Sequence, residues 1–140
     1  MINKKQVVRM LLPFPNISSQ LALDTHMYIC IEEGSNKEFI KCQKFKPTHL
    51  ISTMAPINTI IENSDILRNP FNLKTTIDCD KSFIINNVRM DTRLLTTNRS
   101  DICPELFVDV KTKTDHPQFI TETINSDDLC HINRLITKTV

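Results

Sequence analysis

The chain has 140 residues, of which 40% are hydrophobic and 24% charged, and its formal net charge is +1. This composition is typical of one globular domain that can bury a core, and a charge so close to zero creates no overall field that attracts nucleic acid. The single glycine excludes glycine-rich phosphate loops and dinucleotide fingerprints, which need several glycines for close backbone approach. We therefore expect no cofactor, and kinases, P-loop enzymes and dinucleotide-dependent dehydrogenases are poor candidates.

Membrane, export and metal signals are weak throughout the chain. No apolar stretch approaches the ~18 residues of a membrane helix, and the N-terminal residues lack the apolar core of a signal peptide. We expect a cytoplasmic protein with no membrane partner. The five cysteines include no CxxC pair, so we expect reduced thiols and no metal site.

The first two predicted elements are strands joined by a polar loop. The apolar run at residues 7–12 ends at the turn 13–16, because proline donates no ladder hydrogen bond and Asn favours turns. The second strand opens on His26 and continues through the strand-forming residues 27–31. The joining loop, residues 16–25, is longer than a minimal hairpin turn, which is typical of a functional or mobile segment.

The middle of the chain is predicted to hold two strands and a helix. A turn at 32–36 contains the only glycine, and a third strand follows at 39–43 within a lysine-rich stretch that we interpret as a solvated face. Residues 50–51 predict a short strand. Pro56 followed by Ile57, Ile60, Ile61, Ser64 and Leu67 has helical spacing, so a short helix is expected before the break at 68–70.

The second half is predicted to be rich in strands. We expect strands at 75–77 and 82–85 and a long strand at 84–94 with a bulge at residues 86–87. Residues 101–113 fit two patterns, since Leu106, Val108 and Val110 alternate as in a strand, whereas Asp101 before Pro104 can cap a helix. We favour the strand.

The C-terminal segment predicts a last strand and a closing helix. Residues 119–124 form the strand, and Ser126 is a good N-cap with two aspartates in the first turn. Helical spacing gives the apolar face Leu129, Ile132, Leu135 and Ile136. The predicted fold class is therefore mainly β (α+β), with strands closed by a C-terminal helix.

Four segments, in this order, carry a resemblance to a known family. Residues 7–15 are similar to an opening strand and proline loop, and 26–31 are placed like an Arg-Pro-Val-Leu-Val-Ile strand. Residues 82–94 and 124–129 match a strand ending in Arg-Leu and a Leu-Ser-Asp-Glu helix start. The chain thus resembles the MazF/PemK (Kid-like) toxins of bacterial toxin–antitoxin systems. This implies a small SH3-like barrel as a single domain over residues 1–140, with an insertion at 96–118 where the chain is longer.

The resemblance implies metal-free cleavage of single-stranded RNA by a homodimer that an antitoxin protein neutralises. In this reaction the ribose 2′-OH attacks the adjacent phosphate, which needs a base, an acid and positive charge around the phosphorane. His26 stands where the family has an arginine, and histidine can act as base or acid near neutral pH. The family's catalytic Ser/Thr falls near Gln43 or Lys44, and of these two Lys44 is the candidate. His26 and Lys44 are therefore the candidate catalytic residues.

Four further residues are candidates for RNA binding. Lys41 and Arg89 can hold phosphate oxygens. Phe14 and Tyr28 can stack on bases, a contact worth ~1–3 kcal/mol each, although aromatic residues in apolar runs are more often part of a core.

Two alternatives stay open. A non-catalytic protein- or RNA-binding module on the same barrel is favoured by the replacement of both expected catalytic residue types and by the near-neutral charge. The other alternative is a DNA-topoisomerase poison, which is the mode of action that a sister branch of the same fold resembles. Residues 136–140 do not resemble the aromatic–Gly tail of that branch, which disfavours this alternative.

Overall fold

A computed structural model describes residues 1–51 and 57–139 and shows an α+β fold dominated by one antiparallel sheet. The strands are β1 (Val7–Met10), β2 (His26–Glu32), β3 (Asn36–Lys44), β4 (Thr59–Glu62), β5 (Thr75–Asp78), β6 (Lys81–Asn86), β7 (Val88–Met90), β8 (Ile120–Thr123) and β9 (Ile136–Lys138). The helices are α1 (Gln20–Leu23), α2 (Thr48–Ile51), α3 (Pro104–Thr114) and α4 (Ser126–Ile132), with a 3₁₀ turn at Thr92–Leu94. The mainly β class predicted from the sequence is confirmed.

The sheet is built around β3, which pairs with three other strands. Within the described ranges, seven strands join in the order β1-β2-β3-β5-β4, with β6 paired to β3 and β8 paired in parallel to β6. The first half of β3 pairs with β6 and its last residues pair with β5. β1 and β4 lie at opposite ends of the path, so the sheet is not the closed barrel that the resemblance implied.

Strand alternation divides the buried side chains into two cores, one on each face of the sheet. The first core contains Val8, Met10, Tyr28, Phe39, Phe83 and, from α4, Leu129. The second core contains Val7, Ile29, Ile40, Ile77 and, from α3, Leu106 and Val110. Because both faces of β2 are covered, its sequence is a nearly continuous apolar run rather than an alternating one.

The predicted long strand at 84–94 is interrupted at Asn87. This residue has φ +57°, a left-handed conformation that Asn tolerates better than most residues. The chain therefore leaves the large sheet after β6, and β7 pairs instead with β9. The strands predicted at 7–12, 27–31, 39–43, 75–77, 82–85 and 119–124 are confirmed with slightly different bounds.

The helix predicted between Pro56 and Leu67 is wrong for the residues that the structure describes. Pro56 itself lies outside them, and residues Thr59–Glu62 form β4. The β-branched run of this segment favours the pleated surface, where Ile60 pairs with Ile77. Residues 50–51, predicted as a strand, belong to α2.

The strand predicted at 101–113 is also wrong, because Pro104–Thr114 forms α3. Pro104 occupies the first turn, where no N–H is needed, and the Cys103 Sγ accepts the Leu106 N–H at 3.4 Å. Leu106 and Val110 lie one helical turn apart and are buried, whereas Val108 is 61% exposed. This helix occupies about half of the predicted insertion at 96–118 and supplies part of the second core.

The C-terminal helix is shorter than predicted, and it begins at Ser126, the residue that was predicted as its N-cap. Asn125, not Ser126, is the N-cap, and its side-chain oxygen accepts the Asp128 N–H at 3.0 Å. Helix α4 ends at Ile132, and buried Ile136 belongs to β9. No helix among the described residues is long and apolar enough to cross a membrane.

Candidate functional site

The two candidate catalytic residues line the same cavity, at the end of the sheet where β2 begins and β3 finishes. This cavity, which we call the end cavity, has a volume of about 210 Å³. Its basic lining residues are Arg9, His26 and Lys44, and its apolar wall includes Met27 and Phe71. The resemblance implies His26 and Lys44 as the catalytic pair, and the pairing of β2 with β3 places both in the lining of this cavity.

Arg9 and Lys44 project from the same face of the sheet. Arg9 pairs with Met27 on β2, and Met27 pairs with Cys42 on β3. Lys44 lies two residues beyond Cys42, so strand geometry separates the Cα atoms of Arg9 and Lys44 by about 12 Å. The long side chains of arginine and lysine can span this distance to hold one phosphate between them.

His26 reaches the cavity from the first position of β2. It pairs with Met10, a member of the first core, so strand alternation assigns it to the face opposite Arg9 and Lys44. Its Nδ1 lies 3.0 Å from the carbonyl oxygen of Asp24. Because a carbonyl only accepts, Nδ1 carries the proton in this bond, and Nε2 of the neutral ring is left as a proton acceptor.

The lining of the end cavity is free of carboxylates among the residues that the structure describes. Its polar side chains are neutral or positive, the neutral ones being Thr25, Gln43, Asn72 and Thr75. Over residues 1–51 and 57–139, neither Arg9 nor Lys44 makes an ion pair within 4 Å. Two uncompensated cations in one concave site favour an anionic ligand.

Arg9 also lines two neighbouring cavities. One has a volume of about 430 Å³ and shares Arg9 and Thr25 with the end cavity. The other is small, about 60 Å³, and shares Arg9, Met27 and Asn72. The sequence analysis did not identify Arg9. Its signal was a charged residue inside the short apolar strand β1, because such a side chain must either face solvent or take part in a site.

Tyr28 is not accessible to an RNA base in this structure. Its side chain is 0% exposed, and its ring packs edge-to-face on Phe83 with ring centroids 6.3 Å apart. The hydroxyl has no hydrogen-bond partner among the described residues, and burial raises its pKa. Tyr28 belongs to the first core, and the structure removes it from the set of stacking residues.

Phe14 and Lys41 belong to the Tyr28 side of the sheet rather than to the end cavity. Phe14 packs against Phe83 at 5.3 Å between ring centroids, with the Lys81 Nζ 4.7 Å from its centroid. Lys41 pairs with Tyr28, and partial burial lowers its pKa while the charge of Asp78 opposes that change. Neither residue lines the end cavity.

Arg89 is exposed on β7, where it pairs through the backbone with Thr137. The neighbouring carboxylate of Asp91 forms an ion pair with Arg93 at 3.0 Å, so Asp91 does not neutralise Arg89. Arg89 is absent from the lining of the end cavity and of its two neighbours. The structure thus groups His26 and Lys44, and leaves Phe14, Tyr28, Lys41 and Arg89 elsewhere.

The described residues offer no cluster of three or more His, Cys, Asp or Glu side chains arranged to hold a metal ion. Comparison of the chain with protein-family models, with curated proteins and with solved structures finds no match.

Proposed function

We propose that this chain is a toxin-like endoribonuclease that cleaves single-stranded RNA in the end cavity without a metal ion. The observation that carries the proposal is that His26, Lys44 and Arg9 line one cavity whose described lining residues include no carboxylate. An RNA strand supplies both the phosphate for the cations and the bases for the apolar wall at Met27 and Phe71.

The residues of the end cavity can be given roles in the reaction. His26 Nε2 takes the proton of the ribose 2′-OH as the new 2′-O–P bond forms, since Nδ1 already donates to Asp24. The Lys44 ammonium donates a proton to the leaving 5′-oxygen as the P–O5′ bond breaks. Arg9 offers its guanidinium to the phosphorane oxygens, whose charge increases in the transition state. The products are a 2′,3′-cyclic phosphate and a free 5′-OH.

The family assignment is part of the same proposal. The four similar segments and the α+β fold support a MazF/PemK type of domain, here with an open version of the SH3-like barrel. Homodimer formation and neutralisation by an antitoxin protein follow from that assignment. Exposed large apolar side chains are consistent with protein contacts; in the described part of the chain they include Leu50, Ile57, Ile66, Leu67 and Leu73.

A cleavage assay with matched histidine variants tests the activity. Purified protein in excess EDTA is incubated with labelled single-stranded RNA. The wild type is expected to cut it, and His26→Ala to lose about 10²- to 10⁴-fold of the rate, the usual contribution of one acid–base group. His131→Ala is the control, because His131 is exposed and absent from the end cavity. Intact RNA with the wild-type protein would remove the enzyme claim.

One observation favours a second candidate, a non-catalytic RNA- or protein-binding module. Strand alternation assigns His26 and Lys44 to opposite faces of the sheet. If their side chains do not reach one phosphate together, the cavity keeps its positive charge but loses the paired acid and base. RNA binding without cleavage would identify this second function.

A further inference from the structure

The larger neighbour of the end cavity is lined by three arginines. This site, which we call the arginine cavity, has a volume of about 430 Å³ and lies between β1, the 3₁₀ turn and the connection from α4 to β9. Its arginines are Arg9, Arg93 and Arg134, and no carboxylate is among its described lining residues. Each arginine comes from a different part of the chain, so only the folded protein assembles the cluster.

The wall of the arginine cavity is held in place by a buried side chain. Asn133 is 7% exposed, accepts the Leu11 N–H at 2.9 Å and donates to the Leu11 carbonyl at 2.7 Å. It also donates to the Leu129 carbonyl at 2.9 Å. These bonds fix the backbone that carries Arg134 relative to the end of β1, so the backbone positions of Arg134 and Arg9 are set before a ligand arrives.

The charges of the cavity are only partly compensated. Arg93 is paired with Asp91, because its Nε and Nη2 donate to the two carboxylate oxygens of Asp91 at 3.1 and 3.0 Å. Hydrogen bonds from Arg93 lower the pKa of Asp91 to about 2, so this carboxylate stays ionised near neutral pH. Arg9 and Arg134 have no ion-pair partner within 4 Å in residues 1–51 and 57–139. Two guanidinium groups are therefore free to bind an anion.

We propose that the arginine cavity binds the phosphodiester backbone of the RNA segment next to the reacting phosphate, through Arg9 and Arg134. The guanidinium fork matches two phosphate oxygens, and Arg9 and Thr25 line both this cavity and the adjacent end cavity. An RNA strand longer than a dinucleotide can occupy both. The inference rests on the proposed RNA substrate, but it requires binding only and not cleavage.

Binding measured against RNA length tests this site. In a His26→Ala background, affinity is measured for a dinucleotide and for a single-stranded RNA of about eight nucleotides, a length within the usual range of single-strand sites. Arg134→Ala is expected to weaken binding of the longer RNA about tenfold or more, and to reduce its salt dependence by about 0.7 in log–log slope. The dinucleotide, which fits the end cavity alone, is expected to bind unchanged.

Two further variants separate local recognition from general charge. Arg134→Lys is expected to keep the salt slope while losing affinity, because lysine keeps the charge but not the fork. Lys113→Ala removes an exposed charge from α3, outside the arginine cavity, and is expected to leave both RNAs unaffected. Equal, small losses for Arg134→Ala and Lys113→Ala would overturn the inference. The inference would also be overturned if Arg134→Ala weakened the binding of an acidic peptide and left RNA binding unchanged.

The outcomes also distinguish this inference from the proposed function. Wild-type protein that binds the longer RNA through Arg134 but never cuts it would support the arginine cavity and refute the enzyme. Cleavage with binding that is independent of Arg134 at every RNA length would support the enzyme and overturn the inference.

Discussion

Asn133 and Leu11 are joined by two hydrogen bonds although they lie 122 positions apart in the sequence. The Asn133 Oδ1 accepts the Leu11 N–H and its Nδ2 donates to the Leu11 carbonyl, so one side chain satisfies the backbone just past the end of β1. This contact closes the C-terminal segment onto the first strand and forms one wall of the arginine cavity.

Asn133→Ala is therefore expected to destabilise the fold. The substitution removes the partners of the part-buried Leu11 N–H and carbonyl, a loss of about 1–3 kcal/mol in the free energy of unfolding. Urea denaturation followed by circular dichroism measures it. Asn98→Ala is the matched control, because Asn98 is exposed and makes no side-chain hydrogen bond among the described residues; equal stability of the two variants would contradict the structural role.

Tyr28→Phe is expected to be neutral or stabilising, and to leave RNA affinity unchanged. The hydroxyl of Tyr28 is buried with no partner in the described part of the chain, so its removal relieves an unfavourable desolvation. Thermal unfolding and RNA titration measure both effects. A large loss of RNA affinity would restore Tyr28 as a stacking residue.

Asp78→Asn is expected to stabilise the protein at neutral pH. Asp78 is 8% exposed, and burial raises its pKa although the Asp80 N–H donates to it at 2.9 Å. Because the pKa of Asp78 is higher in the folded state than in the unfolded state, ionisation of Asp78 destabilises the fold at pH values above the folded-state pKa. That penalty fades as the pH falls and is gone below the unfolded pKa of about 3.9.

Unfolding measured as a function of pH tests this sign. The amide oxygen of the variant can still accept the Asp80 N–H, so the gain at neutral pH is expected to shrink steadily toward about pH 4. Asp127→Asn is the control, because the Asp127 side chain is 75% exposed and its pair with Lys138 is a surface pair of little worth. A gain that grew on acidification would contradict the assigned cause.

Arg9→Ala is expected to reduce both RNA affinity and cleavage. One lost charge-assisted phosphate contact is worth about 1.5–3 kcal/mol, which corresponds to about 10- to 100-fold. Lys113→Ala again controls for total charge. Rates and affinities that stay within a factor of about two of wild type would exclude Arg9 from the site, because so small a change is under about 0.5 kcal/mol.

The sequence predicts the strands of this fold better than its helices. Runs such as 27–31 identify strands because both faces of β2 are buried and apolar residues are continuous there. In α3, Leu106, Val108 and Val110 alternate like a strand, yet only Leu106 and Val110 are buried. Between residues 57 and 67 the apparent helical face fails because Ile57 and Leu67 are 88% and 81% exposed.

The candidate site is predictable in part for a similar reason. The resemblance to the MazF/PemK toxins implies His26 and Lys44, because they stand at or near the positions of that family's catalytic residues. Arg9 could not be joined to them, since its position depends on the register of β1 with β2 and of β2 with β3. The burial of Tyr28 in the first core agrees with its place in an apolar run, where aromatic residues are more often part of a core than stacking residues.

The most direct test of the central claim is the chemistry at the cut site. In excess EDTA, wild-type protein is expected to leave a 2′,3′-cyclic phosphate on one product and a 5′-OH on the other, and a single 2′-deoxy substitution at the cut should prevent cleavage there. Mass spectrometry of the products reads both ends. Intact RNA, a 5′-phosphate product, or cleavage of the 2′-deoxy strand at the same bond would contradict the account.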